Sequence, residues 1–144
     1  MQVKPEYESV EEFTNIASAL VSRFPEIYSG VDVDKIRCVA ITNKSRGKKK
    51  KLWEVKAVDM PVRMDCPYAW YVTVYMEDWA EMDVVHRQHI VAESLCAIPE
   101  DGEEGKVVQQ DMKGYSVIMR TFGIEHHQHE VLPDLLQDDI NWKP

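Results

Sequence analysis

The run Ala69 to Met76 constrains this chain more than any other feature. Trp70, Val72, Val74 and Met76 fall on one side and Tyr71, Thr73 and Tyr75 on the other, the period-two pattern of a β-strand. Both sides carry large or β-branched residues, so the strand is expected to be covered on both faces. Two flanking runs also alternate. Lys35 to Thr42 sets Ile36, Cys38 and Ala40 on one side, and Leu52 to Val58 sets Trp53, Val55 and Ala57 against Glu54 and Lys56. Between these two lies a stretch from Lys44 to Lys51 in which six of eight residues are basic. Its Gly47 predicts the tip of a β-hairpin.

Helical spacing brackets the strands. Ser9 and Glu12 form a capping-box pattern ahead of Phe13, Ile16, Ala17, Leu20 and Phe24, and Pro25 stops the run. A second helix is expected from about Trp79 to Ile98. Its apolar residues form two stripes, Val84, Val91, Leu95 and Ile98 against Met82, Val85, Ala92 and Cys96, which suits a helix buried at the centre of the fold. Asp111 can cap a third helix in which Met112, Tyr115, Ile118, Met119 and Phe122 face the core, with Gly123 at its end. The fold class is therefore α+β: an N-terminal helix, a sheet of three strands or slightly more, and two C-terminal core helices. Residues 1–144 are expected to form one domain, with 125–144 as an extended tail.

Composition narrows the function classes. A net charge of −8 disfavours generic nucleic-acid binding, and no apolar run approaches the length of a membrane span. Without a signal-peptide pattern, a cytoplasmic location is expected. Cys38, Cys66 and Cys96 are odd in number and lie in or beside apolar segments, so they are expected as free, mostly buried thiols. The loop from Pro99 to Gly105 is acidic and expected to be exposed.

Several segments together resemble the putative phage metallopeptidases, a zincin-like family of phages and prophages. Arg23-Phe24-Pro25-Glu26 followed by Val33-Asp34-Lys35-Ile36-Arg37 is similar to that family's opening. Ala69-Trp70-Tyr71-Val72-Thr73-Val74 is similar to its aromatic edge strand. Asp111-Met112-Lys113-Gly114-Tyr115 with Arg120-Thr121-Phe122-Gly123-Ile124 is similar to its last helix. The resemblance implies an HExxH motif on the second helix, in which two histidines four residues apart hold zinc and the glutamate activates its water. In the gapless register that motif falls on Glu93-Ser94-Leu95-Cys96-Ala97, where both histidines and the glutamate are missing. Shifting by one, to Ala92-Glu93-Ser94-Leu95-Cys96, restores the glutamate and neither histidine. At the next expected ligand position stands Gln110 beside Asp111. The chain thus resembles a degenerate member, to which the family's protease mechanism is not expected to carry over.

The resemblance without its ligands implies a non-catalytic phage or prophage protein that binds a host macromolecule, with a host protein as the expected partner and a host-defence inhibitor as one form of that role. No catalytic residue and no cofactor are expected. Two alternatives stand beside it. In the first, His86, His89 and Glu93 share one helical face within about 60° and hold zinc in a divergent metallopeptidase or metal-dependent hydrolase, with Cys96 or the tail's His126, His127 and His129 as further donors. The plainer expectation for these residues is half-buried histidines hydrogen-bonded to neighbours. In the second, Lys44, Arg46, Lys48, Lys49, Lys50 and Lys51 bind phosphates in a nucleic-acid accessory protein. Trp53 could stack on a base, but it is expected in the core of its strand.

Overall fold

A computed structural model describes residues 6–42, 52–108, 115–122 and 132–143. In chain order the elements are β1 (Glu6–Ser9), α1 (Glu11–Arg23), a 3-10 turn at Val33–Lys35, β2 (Ile36–Thr42), β3 (Trp53–Ala57), α2 (Val62–Asp65), β4 (Trp70–Tyr75), α3 (Met76–Glu81), α4 (Val84–Leu95) and α5 (Ser116–Phe122). The α+β class expected from the sequence holds, with four strands in the order β1-β2-β4-β3.

That order corrects the expected hairpin. β2 and β3 are not neighbours: β4 lies between them, parallel to β2 and antiparallel to β3. The strand with the strongest apolar run takes the inner position, where both of its edges are paired and one face is fully buried. Register aligns Ile36, Cys38 and Ala40 with Trp70, Val72 and Val74, and these in turn with Ala57, Val55 and Trp53. The resulting apolar face packs against α1 and α4. The opposite face is covered only at its α3 end, where Ile41 and Tyr75 are buried, while Tyr71 stays exposed. The expectation of two covered faces is met for part of the strand.

β1 was hidden in the sequence. Its four residues are polar or exposed, yet they pair antiparallel with Val39 to Thr42. Ser9 therefore ends a strand and does not cap α1. Its Oγ accepts a hydrogen bond from Arg37 Nη2, the N-cap is Val10 with no side-chain cap, and Glu12 pairs with Arg87 Nη1 at 2.8 Å. α1 otherwise follows its pattern, burying Phe13, Ile16, Ala17 and Leu20 and stopping before Pro25.

The long second helix is two helices. Asp83 holds extended backbone and accepts from the His86 amide at 2.8 Å, which caps a new helix after α3 has ended. The central position expected for this helix is realised in α4, where every residue from Gln88 to Leu95 is buried. After α4 the acidic loop closes back on the body. The Gly30 backbone lies so near Pro99 and Glu100 that a Cβ there would stand 2.2 Å from the Glu100 carbonyl oxygen. Glu104 pairs with Arg63 at 2.7 Å and Lys35 at 3.1 Å. These two cations hold its carboxyl below the usual range. Among the described residues no helix is long and apolar enough to cross a membrane.

The segment 132–143 is not an extended tail. It folds onto α1, α4 and α5, with Leu135 wholly buried and Leu136, Ile140 and Trp142 packed against the core. The reason is compositional: its apolar side chains find an unfilled groove beside α4, which outweighs the solvation of its aspartates.

Candidate functional site on helix α4

His86, His89 and Glu93 do lie along one helix, but the structure gives them separate partners. His86 is near the exposed first turn, with Nδ1 2.7 Å from Asp83 Oδ1. That ring and the His86 amide, the amide foremost, hold the Asp83 carboxyl below its ordinary value. His89 is 1% exposed. Its Nε2 lies 2.8 Å from the Pro133 carbonyl oxygen, so that nitrogen carries the proton. The edge of Phe122 meets the same ring at 4.8 Å between centroids. Glu93 is buried one turn further on. Among the described residues, no three His, Cys, Asp or Glu side chains converge as a metal site.

The register expected for HExxH falls on the C-terminal end of α4, which is largely buried among the described residues. Glu93, Ser94, Leu95 and Ala97 are buried and Cys96 nearly so. Ala97 joins Tyr115 and Ile118 in a small apolar cluster that also receives Trp53, Val55, Cys96, Phe122 and Trp142. Trp53 and Tyr115 stack with centroids 6.1 Å apart and planes at 17°. That occupies the tryptophan face on which a base would have stacked, and it places Trp53 within the protein as its strand pattern predicts.

Polar atoms inside this packing point at one another. The Tyr28 hydroxyl and the Cys96 thiol both donate to the Ala92 carbonyl, at 3.0 and 3.4 Å. Burial pushes the Cys96 thiol up to about 12, with the Glu93 carboxylate adding to the rise. Burial and the same neighbours raise Tyr28 and Tyr115 well above the ordinary phenol range. The thiol and the two phenols are thereby held in their protonated forms at neutral pH. Cys96 does not engage His89, in keeping with their separation along the helix.

The groove beside His89 is filled by the chain's own segment 132–143. Arg23 donates to the Leu135 carbonyl at 2.5 Å and to the Asp138 carbonyl at 2.7 Å. The buried Gln88 accepts the Leu135 amide at 2.9 Å. Trp142 enters an aromatic box, with centroids 5.3 Å from Phe24, 6.2 Å from Tyr28 and 5.5 Å from Phe122. Sequence reasoning assigned Arg23 and Gln88 no part in this packing and read the apolar-acidic stretch Val131 to Trp142, with Leu135, as a surface for a protein partner. The available signal was the apolar content of Leu132 to Trp142, which is too high for a solvated tail.

The other candidates divide by position. Lys44, Arg46, Lys48, Lys49, Lys50 and Lys51, and likewise His126, His127 and His129 with Gln110 and Asp111, lie outside the described residues. All three cysteines are free; Cys38 is buried in β2, and burial raises its thiol above the ordinary range. Cys66 is half-buried, its sulfur 4.0 Å from the Tyr71 hydroxyl.

A mixed four-stranded sheet backed by the buried helix α4 defines a small α+β domain. The chain belongs to the putative phage metallopeptidase family, whose model matches residues 5–138. No curated protein and no solved structure matches it.

Proposed function

We propose that this chain is a non-catalytic phage or prophage protein on a metallopeptidase-like frame, acting by binding a host macromolecule. The carrying observation is the filled space at Glu93 to Ala97. Where the family's motif needs two imidazoles and a carboxylate facing an open cleft, this chain has Ala97 buried against Tyr115 and Ile118, and Trp53 stacked on Tyr115. Among the described residues, this packing supports a centre that is not open to a peptide. Substituting histidines alone would not recreate the site, because the aromatic side chains would also have to leave. The net charge of −8 and the outward carboxylates of the 100–104 loop, Asp138 and Asp139 suit a protein partner with a basic face. Inhibition of a host defence protein is one role of this kind.

The test has two parts. Zinc titrated calorimetrically into chelator-treated protein is expected to give no saturable site, and a panel of unstructured peptides is expected to remain uncleaved with zinc present. Affinity capture from host lysate, followed by reconstitution with the purified host protein, is expected to give a stoichiometric complex. A tight zinc site with peptide cleavage would overturn the proposal and favour the metalloenzyme through His86, His89 and Glu93.

A further inference from the structure

We infer that the stretch from Met60 to Met64, together with the acidic loop that Arg63 ties to it, is the docking surface for a partner protein presenting an apolar recess rimmed by lysine or arginine. Seven large apolar side chains are exposed among the described residues, and three of them fall in this one stretch: Met60 at 72%, Val62 at 65% and Met64 at 76%. The exposed Pro61 stands among them. The other four are scattered over β1, β4, the first turn of α4 and the end of the acidic loop. A lone exposed apolar side chain needs no explanation, whereas a contiguous group with a polar rim marks a surface that binds.

The turn of helix that carries the group is inverted. Of Val62, Arg63 and Met64 the cation is the residue that belongs in water, yet the Arg63 side chain is only 20% exposed. Its guanidinium is turned onto the chain, Nε donating to Glu104 Oε1 at 2.7 Å and Nη1 to the Cys66 carbonyl at 2.6 Å. The backbone is closed as well, since the Arg63 amide donates to the Asp59 carbonyl and the Met64 amide to the Pro61 carbonyl, both at 3.0 Å. Packing the apolar side chains against the body would have gained free energy. The inward position goes to Arg63 instead, and the apolar side chains are held outside. Two of them are methionines, whose unbranched thioethers adapt to the contour of a recess.

The rim indicates what covers this centre. Asp59 and Asp65 flank it and are exposed, and the Arg63–Glu104 pair joins the 100–104 loop to it. The neighbouring cations are each paired with a carboxylate of that loop, Arg63 and Lys35 with Glu104 and Lys106 with Glu103. Asp59, Asp65, Glu100 and Asp101 are left over, all exposed. An apolar centre with a negative rim is complemented by an apolar recess with a positive one. The same carboxylates disfavour a nucleic acid, and a second copy set face to face would bring like charges together. This inference rests on the protein-binding reading above and adds where the partner docks and what it offers.

The test uses the full chain with a synthetic amphipathic helical peptide of leucine and lysine as probe, and a leucine–glutamate peptide of the same pattern as control. By fluorescence anisotropy the lysine peptide is expected to bind saturably, about tenfold or more weakly to the triple variant Met60→Ser, Val62→Ser, Met64→Ser, and severalfold more weakly to Asp59→Asn with Asp65→Asn. The glutamate peptide should not bind. Since the three side chains are exposed, the triple variant is expected to keep its unfolding midpoint; should it not fold, methionine oxidation of the unsubstituted protein decides. The lysine peptide should slow peroxide oxidation of Met60 and Met64 and leave that of Met82, packed against the core, unchanged. Absence of saturable binding, undiminished binding to the triple variant, equal binding of the glutamate peptide or unprotected Met60 and Met64 would overturn the inference. So would a dimer in sedimentation that the triple variant abolishes, which assigns the patch to a second copy. A purified host protein that binds the triple variant undiminished overturns this docking surface and leaves the protein-binding reading standing, whereas a tight zinc site with peptide cleavage overturns that reading and is measured without the probe.

Discussion

Strand β4 and the segment 132–143 each place side chains in the core, Trp70, Val72 and Val74 from the one and Leu135 from the other, yet they are held in different ways. β4 is fixed by backbone ladders on both edges, so its position depends on the whole sheet. The segment is fixed by a few side chains of the body reaching its main chain, and by two apolar anchors. Burial alone does not distinguish them. The difference is in cooperativity: a ladder fails together with the sheet, while a side-chain clasp can open by itself.

The sharpest challenge to this contrast is a pair of large-to-small substitutions. Trp70→Ala removes a residue that is 1% exposed and whose Nε1 donates to the Lys106 carbonyl at 2.9 Å. It is expected to cost about 3–5 kcal/mol and to lower the denaturant midpoint in one cooperative transition. Leu135→Ala should cost less, about 2–3 kcal/mol, because the segment can partly collapse onto the smaller side chain. Its signature is local, with fast hydrogen exchange over 132–143 while amides of β2 and β4 stay protected. Equal acceleration of both regions would break the contrast.

Arg23→Ala probes the clasp without touching an anchor. Two hydrogen bonds from a charged donor are lost, one of them exposed, so about 1–2 kcal/mol is expected by thermal unfolding. Thiol labelling sharpens the same point. Burial holds the Cys38 and Cys96 thiols above their ordinary values, so a thiol reagent at pH 8 should modify Cys66 first. In Arg23→Ala, Cys96 should become reactive before Cys38, because Cys96 is half-buried beside the cluster that Trp142 also packs against, while the sheet holds the buried Cys38.

The smallest effect is expected at Glu104. Its carboxyl is held below the usual range by Arg63 and then Lys35, so any contribution to stability is present at neutral pH and lost as pH falls through the lowered value. Glu104→Gln should leave the unfolding midpoint at neutral pH essentially unchanged and accelerate amide exchange in the 99–106 loop. The acid sensitivity of that loop should disappear in the variant.

Much of this architecture was legible in the sequence because it is local. Alternation located β2, β3 and β4, helical spacing located α1, and the apolar content on opposite sides of Val84 to Ile98 anticipated a buried α4. What escaped was set by partners distant in sequence. β1 has no apolar alternation, since only its pairing to β2 makes it a strand. Asp83 reads as one more polar residue until its side chain is seen capping α4. At the candidate site, helical spacing put His86, His89 and Glu93 on a shared face, but it could not show that Pro133 and Phe122 already cover His89. The stacking of Trp53 on Tyr115 beside the end of α4 was not legible either.

The placement of β4 between its predecessors has a consequence for how the molecule is assembled. As the chain is synthesised, β2 and β3 are complete before the strand that separates them exists, and their nearest available pairing is with each other, in a hairpin the finished sheet forbids. The native ladder must wait until Trp70 can meet Ile36 and Tyr75 can meet Ile41, contacts that close a long loop. Folding is thus expected to be slower than the short length of the chain suggests, with its early hazard a premature pairing of the wrong two strands.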